Sequence, residues 1–300
     1  ASLLVINGML SFMLTPGKWL ETRSFWHGFF NPSYLPSVIV RTAVTLALAG
    51  VYAMFTGARE SDDVKMQVVP LASRWVLAAI PLFLVGGIWY QFALPELSLH
   101  IVTGGAPVVM MVATLSVLFS AILFPAVYFL GVRQPAQFTP AMGALLLVIA
   151  LLATGVTEWV REAVRKPYII HGYMYSNGTL ASGERDYARD GYLSGATWAS
   201  VRDFDPGDPQ QTMAAGRELF RGQCQSCHTV QGFNGIKPLV YGWSREFLAY
   251  QTERLDELRA FMPPFVGSAA EKQALTAWLY ALNYRSEETA HVDAGDTAGG

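Results

Sequence analysis

Charge is scarce in this sequence: Asp, Glu, Lys and Arg make up 15% of its 300 residues, against about 25% in an ordinary soluble domain. Hydrophobic residues reach 52%. That balance excludes a simple soluble globule and points to a membrane protein. An excess of positive charge is missing as well. With a formal net charge of -2, no basic surface is left to neutralise a run of phosphates, which excludes nucleic acid as a partner. Two cysteines cannot build a disulfide framework, and no internal repeat is present.

What the chain does have is long apolar runs. A helix needs about 20 mainly apolar residues to cross the hydrocarbon of a bilayer, and residues 36–58, 75–95, 107–132 and 140–160 qualify. Arg41 stands near the start of the first run, and the second is free of charge. The charge-free stretch 97–132 is too long for one span, so 97–106, with Gly104 and Gly105, reads as a connection. Glu158, Arg161, Glu162, Arg165 and Lys166 mark the end of the fourth span, and Pro167 disfavours helix at the residue before it. Residues 1–14 are apolar but short, with no basic segment or cleavage site ahead of them, and read as the tail of a helix. The expectation is a processed or partial chain, or a subunit whose neighbour supplies the missing spans; a short interfacial segment is the plain alternative.

After Pro167 the text changes. Tyr, Gly, Asp, Ser and Arg dominate residues 171–209, which read as a linker. Residues 210–284 return to amphipathic helix, and 285–300 are small and polar enough for a disordered tail.

The chemistry is concentrated at Cys224-Gln225-Ser226-Cys227-His228, the C-x-x-C-H haem-attachment pattern. Two thiols on one helical turn can add to the two vinyl groups of a haem, and the imidazole that follows then lies under the iron. A redox dithiol would want a βαβ pattern around it, and a zinc site would want a second pair of ligands; neither is present. Ahead of the motif, residues 214–220 form an amphipathic segment whose Gly216 and Phe220 suit packing against a second helix. Behind it, Phe261-Met262-Pro263-Pro264-Phe265 places a methionine 34 residues after His228 in a proline-held extended loop. A thioether presented by backbone that cannot coil into helix is what a sixth iron ligand requires. Most methionines are core filler, but of the ten here Met262 has the surroundings of a ligand. An apolar-periodic helix follows, with Leu275, Trp278, Leu279 and Leu282 on one face.

Residues 210–284 resemble a class I cytochrome c domain, from the helix of AAGRELFRGQCQSCHTV type through the M-P-P-F loop to the last helix. The resemblance implies one covalent haem c, His228 and Met262 as iron ligands, and electron transfer rather than oxygen chemistry. Residues 1–170 resemble the second half of subunit I of the cytochrome bd quinol oxidases. The carrying features are Ile6-Asn7-Gly8-Met9, then Phe29-Phe30-Asn31-Pro32-Ser33, and Arg161-Glu162-Ala163-Val164-Arg165-Lys166-Pro167-Tyr168. In that family the last stretch reads E-x-G-R-Q-P-W and its glutamate lies at a b-type haem. Glu162, Arg165 and Pro167 match; Val164, Lys166 and Tyr168 depart. Where the family has an axial histidine this chain has Ile39-Val40-Arg41-Thr42, and the long quinol-binding loop is missing. The family's methionine ligand would fall on Met110 or Met111. Without a histidine in any span, a haem b held by this chain alone would need Glu162 or a methionine. The plain reading of Glu162 with Arg165 is an ion pair at a helix end, and Arg41 has four readings: snorkelling, pairing with a carboxylate, facing a haem propionate, or closing an emptied haem pocket.

The fold class expected is all-α: a multi-span transmembrane bundle followed by a small class I cytochrome c domain. Haem c is attached on the export side, so the resemblance implies a bacterial inner membrane protein with residues 210–284 in the periplasm. Charge bias opposes this, with Arg59, Lys65, Arg74 and Arg133 inside but Lys18, Arg23, Arg161, Arg165 and Lys166 outside; the biochemical requirement of attachment carries more weight. The expected role is an electron-transfer subunit of a membrane redox complex, partnered by its other subunits and by a cytochrome or oxidoreductase, with Gln231, Phe233 and Lys237 at the rim of the haem edge. Whether the chain is itself an enzyme stays open. The catalytic alternative is a diverged quinol oxidase or quinol:cytochrome c oxidoreductase subunit. A third reading makes the helices an assembly platform without haem.

Overall fold

The computed structural model describes residues 2–296. The chain is helical apart from one small hairpin and divides into two compact units, Ala1–Lys166 and Pro167–Gly300.

The first unit runs α1 (Ser2–Phe12), the short α2 (Trp19–Thr22) and α3 (Phe25–Phe29), then α4 (Tyr34–Gly57), α5 (Asp62–Ala93), α6 (Glu96–His100), α7 (Pro107–Ala126) and α8 (Pro140–Ala163). A wide π-helical segment carries α7 on to Arg133. Four helices, Tyr34–Gly57, Asp62–Ala93, Pro107–Arg133 and Pro140–Ala163, are long and apolar enough to cross a membrane. The second starts well before residue 75, because Asp62 and Asp63 suit a helix N-terminus and Pro70 is accommodated inside the helix. Part of the expected connection 97–106 is helical too: α6 runs into a π-turn that ends where Gly104 takes a φ of 143°. Thr139, which accepts from the Met142 N–H, and Pro140 at the first position start α8.

Small residues hold the spans together, as expected where no hydrophobic force distinguishes a neighbour helix from lipid. Ala43, Ala47, Val51 and Met54 of α4 are buried against Val69, Ala72, Val76 and Ala79 of α5. Gly50 lets the two approach: a Cβ there would stand 2.8 Å from the Ala72 carbonyl.

Two sequence-distant segments meet at the start of α4. Asn7 Nδ2 donates to the Tyr34 carbonyl at 3.0 Å and Ser37 Oγ donates to Asn7 Oδ1 at 2.6 Å. Asn31 Nδ2 donates to the Gly28 carbonyl and Ser11 Oγ, while its Oδ1 accepts from Thr15. These groups are buried, so their pairing fixes α1 against the turn before α4. At the same end, Arg41 of α4 pairs with Glu158 of α8 at 3.4 Å. Arg161 bridges Glu158 and Glu162, and Arg165 completes the chain of charges by pairing with Glu162 at 2.5 Å.

The second unit opens on the hairpin β1 (Tyr168–Ile170) and β2 (Met174–Tyr175) and continues through α9 (Glu184–Asp190), α10 (Tyr192–Gly195), α11 (Pro209–Gln223), α12 (Ile236–Leu239), α13 (Arg245–Thr252), α14 (Leu255–Leu258) and α15 (Ala269–Asp296). Its core is the crossing of α11 and α15, with Ala215, Leu219, Phe220, Ala274 and Leu275 buried. Gly216 permits the crossing, since a Cβ there would run into the Ala274 carbonyl and Trp278. The Phe220 and Trp278 rings meet at 4.8 Å. The helix expected to end near residue 284 continues to Asp296, so the tail placed at 285–300 is helical as far as Asp296; residues 297–300 lie outside the described residues.

Residues 171–209, read from sequence as a linker, are partly built into this core. Tyr192, Leu193, Ala196 and Ala199 are buried with the α11 and α15 residues. Their anchor is the buried Glu271 on the first turn of α15, whose carboxylate accepts from the N–H groups of Tyr192 (2.8 Å), Leu193 (2.7 Å) and Ser268 (2.8 Å). Glu271→Ala leaves buried donors without partners, and denaturant unfolding of the full chain should register a loss of roughly 3 kcal/mol or more in the transition of this unit. A change below about 0.5 kcal/mol would mean that the segment is not docked through this carboxylate.

Candidate functional site

The attachment residues lie on a tight turn at the end of α11. Cys224 caps the helix, its N–H bonded to the Phe220 carbonyl; Cys227 N–H and His228 N–H both return to the Cys224 carbonyl at 3.0 and 2.9 Å. The turn therefore draws the backbone of Cys224, Cys227 and His228 into one tight loop. Both cysteines are free, Cys224 partly buried and Cys227 exposed. Burial, with the neighbouring Cys227, pushes the Cys224 thiol up to about 12. A redox dithiol needs the opposite, a depressed attacking thiol. Among the described residues no group of three or more His, Cys, Asp or Glu side chains is arranged to hold a metal ion.

The loop after the motif sets the imidazole. Ile236 N–H and Lys237 N–H bond back to the carbonyls of Thr229 and Val230, folding residues 229–237 on themselves. Asn234, at a φ of 50°, then presents its carbonyl to His228 Nδ1 at 3.0 Å, while its side chain donates to the Cys227 carbonyl at 2.8 Å. A carbonyl only accepts, so Nδ1 carries the proton and the Nε2 lone pair is left for a metal. Gly235 closes the loop because a Cβ would stand 3.0 Å from the backbone of residues 231 and 232. Sequence reasoning missed Asn234, although Asn-Gly is a turn signal.

Met262 is partly buried, in a non-helical stretch where its N–H bonds to the Arg259 carbonyl. Pro263 and Pro264 follow, then Phe265, which packs against the core cluster as Cys224 does, and the buried Val266, which belongs to it. The donor set is the chemistry a covalently attached haem requires: two free thiols one turn apart, an imidazole with a fixed tautomer, and a thioether on a loop anchored to the same core. Gln231 and Phe233 are exposed beside the motif, Phe233 at 92% of its surface, and Lys237 is partly exposed.

In the first unit Glu162 has one oxygen on Arg161 and the other on Arg165, which is the ion-pair arrangement that its spacing from Arg165 allows. Arg41 faces a carboxylate, Glu158. Met110 and Met111 are exposed on α7.

Residues 211–279 match the family model described as cytochrome C oxidase, cbb3-type, subunit III. No curated protein and no solved structure matches the chain. The match supports a C-terminal cytochrome c domain, a haem c module of electron-transfer type, in a chain with four helices long and apolar enough to cross a membrane.

Proposed function

We propose that the chain is a membrane-anchored electron-transfer subunit of a respiratory complex, passing single electrons through one haem c on the periplasmic side of a bacterial inner membrane. The observation that carries this reading is the Cys224-to-His228 turn with His228 Nδ1 tied to the Asn234 carbonyl. In it Cys224 and Cys227 would form the thioether links, and His228 Nε2 and Met262 Sδ would ligate the iron. The bound haem supplies reversible one-electron exchange at iron. A haem held by an imidazole and a thioether would be suited to electron transfer rather than turnover. The exposed Phe233 and Gln231 stand beside the attachment turn, where a docking cytochrome or oxidoreductase would approach.

For the membrane unit we infer a likeness to cytochrome bd subunit I, supported by the packing of its Asn7 and Asn31 segments on one another. Glu162 we assign to the ion-pair network and not to a haem b, because both its oxygens are engaged by guanidinium groups. The matched family is named for an oxidase subunit, which accords with a role inside a larger complex.

A pyridine haemochrome spectrum of the purified complex, with haem counted per copy of this chain, tests the proposal. One c-type haem per chain is expected. No c-type haem would overturn the reading, and an additional haem b traced to this chain would favour the quinol-oxidising alternative.

A further inference from the structure

Gln223 is the last residue of α11 and directly precedes Cys224. It is buried, and both ends of its side-chain amide bond to one distant residue. Nε2 donates to the Val266 carbonyl at 2.7 Å and Oε1 accepts from the Val266 N–H at 3.0 Å. A primary amide pairing with both polar groups of a single residue fixes that residue in position and orientation, as a rung of a sheet would. Val266 lies four residues after Met262, and two of the three residues between are prolines, which have no N–H to donate. Among the described backbone hydrogen bonds, the loop from Met262 to Ser268 is held at its start by Met262 N–H on the Arg259 carbonyl and at its end by Ser268 N–H on Glu271. In between, the pair with Gln223 is what ties it to the attachment turn.

We propose that Gln223 is the positioning residue for the sixth iron ligand: by joining the Met262 loop to the residue next to the first haem cysteine, it holds the thioether at the iron and so sets the potential of the couple. This rests on the reading of Cys224, Cys227, His228 and Met262 as the haem c site. A thioether is a weak neutral donor whose hold on ferric iron depends on the backbone that presents it, so loosening one end of the loop should weaken the sulfur–iron bond before it affects covalent attachment or His228.

The test uses the full chain in detergent, as wild type, Gln223→Leu and Gln223→Asn. Leucine removes both hydrogen bonds at similar volume; asparagine keeps the amide but is one methylene too short to reach both partners. Covalent haem per chain, the long-wavelength methionine-to-ferric-iron charge-transfer band, the midpoint potential and the affinity of added imidazole are measured on each. Both variants are expected to keep the covalent haem, lose band intensity, fall in potential, and bind imidazole roughly tenfold or more tightly than wild type, as the loss of two buried hydrogen bonds implies. If Gln223→Leu yields no haem-loaded protein, Gln223→Asn decides on the same readouts. Unchanged band, potential and imidazole affinity in haem-loaded variants would overturn the inference and leave the haem site standing. Loss of covalent haem from both variants would also overturn it, by making Gln223 a folding residue. Absence of the band in wild type would count instead against Met262 as ligand.

Discussion

Histidine in place of Met262 is expected to leave the haem covalently attached while lowering its midpoint potential by on the order of 0.2 V, within the roughly 0.8 V that axial ligation spans. A thioether is a soft, neutral donor that favours ferrous iron; imidazole donates more strongly and favours ferric iron. The thioether links depend on Cys224 and Cys227, at the end of a helix whose core partners do not include Met262, so attachment should survive. Potentiometric titration of the full chain, followed at the haem absorbance, reads the shift. The methionine-to-iron band should vanish in the same sample. If Met262→His retains both the band and the wild-type potential, the sixth ligand is another residue. Met262→Ala should open the position and bind added imidazole, which wild type should resist.

The second large effect is expected at Gly216. An added Cβ would collide with the Ala274 carbonyl and Trp278, and the first obstacle is backbone of a helix that cannot turn aside as a flexible side chain would. Gly216→Leu should therefore force α11 and α15 apart and cost the second unit about 3 kcal/mol or more, enough to prevent stable haem attachment in a module of this size. Haem staining of the chain together with denaturant unfolding reads both consequences. Gly216→Ala should be milder but still destabilising. Gly195, exposed and with only the Tyr187 ring 4.0 Å from an added Cβ, is the control: Gly195→Ala should stay within about 0.5 kcal/mol of wild type. Equal stability of Gly216→Leu and wild type would mean that α11 and α15 do not cross in close contact at Gly216.

Both predictions depend on residues that the amino-acid pattern already singles out. Gly216 and Phe220 suit a helix crossing by their spacing, and the fold sets them against Ala274 and Trp278. The four spans were legible from hydropathy because each is a local run, though the start of α5 was not, since its first turns carry charge and a proline inside helix. The residues that orient the site were mostly hidden. Gln223 looks like any polar residue at a helix end, and its partner lies 43 residues away. Glu271 reads as a solvent-facing acid in the first turn of a helix, yet it is buried and holds Tyr192 across 79 residues. Tyr192 and Leu193 themselves sit in text with no helical period, so nothing in their neighbourhood announces that they complete a core.

The sequence alone determined the membrane character of the first half and the attachment chemistry of the second. Both are local: hydropathy is a property of consecutive residues, and two thiols and an imidazole within five positions share one turn whatever surrounds them. Only the tertiary structure decided which nitrogen of His228 is left free, which peptide Gln223 holds, and that Glu162 spends both oxygens on arginines. A hydrogen bond or ion pair takes its partner from what folding brings within about 3 Å, and burial then makes that partner obligatory.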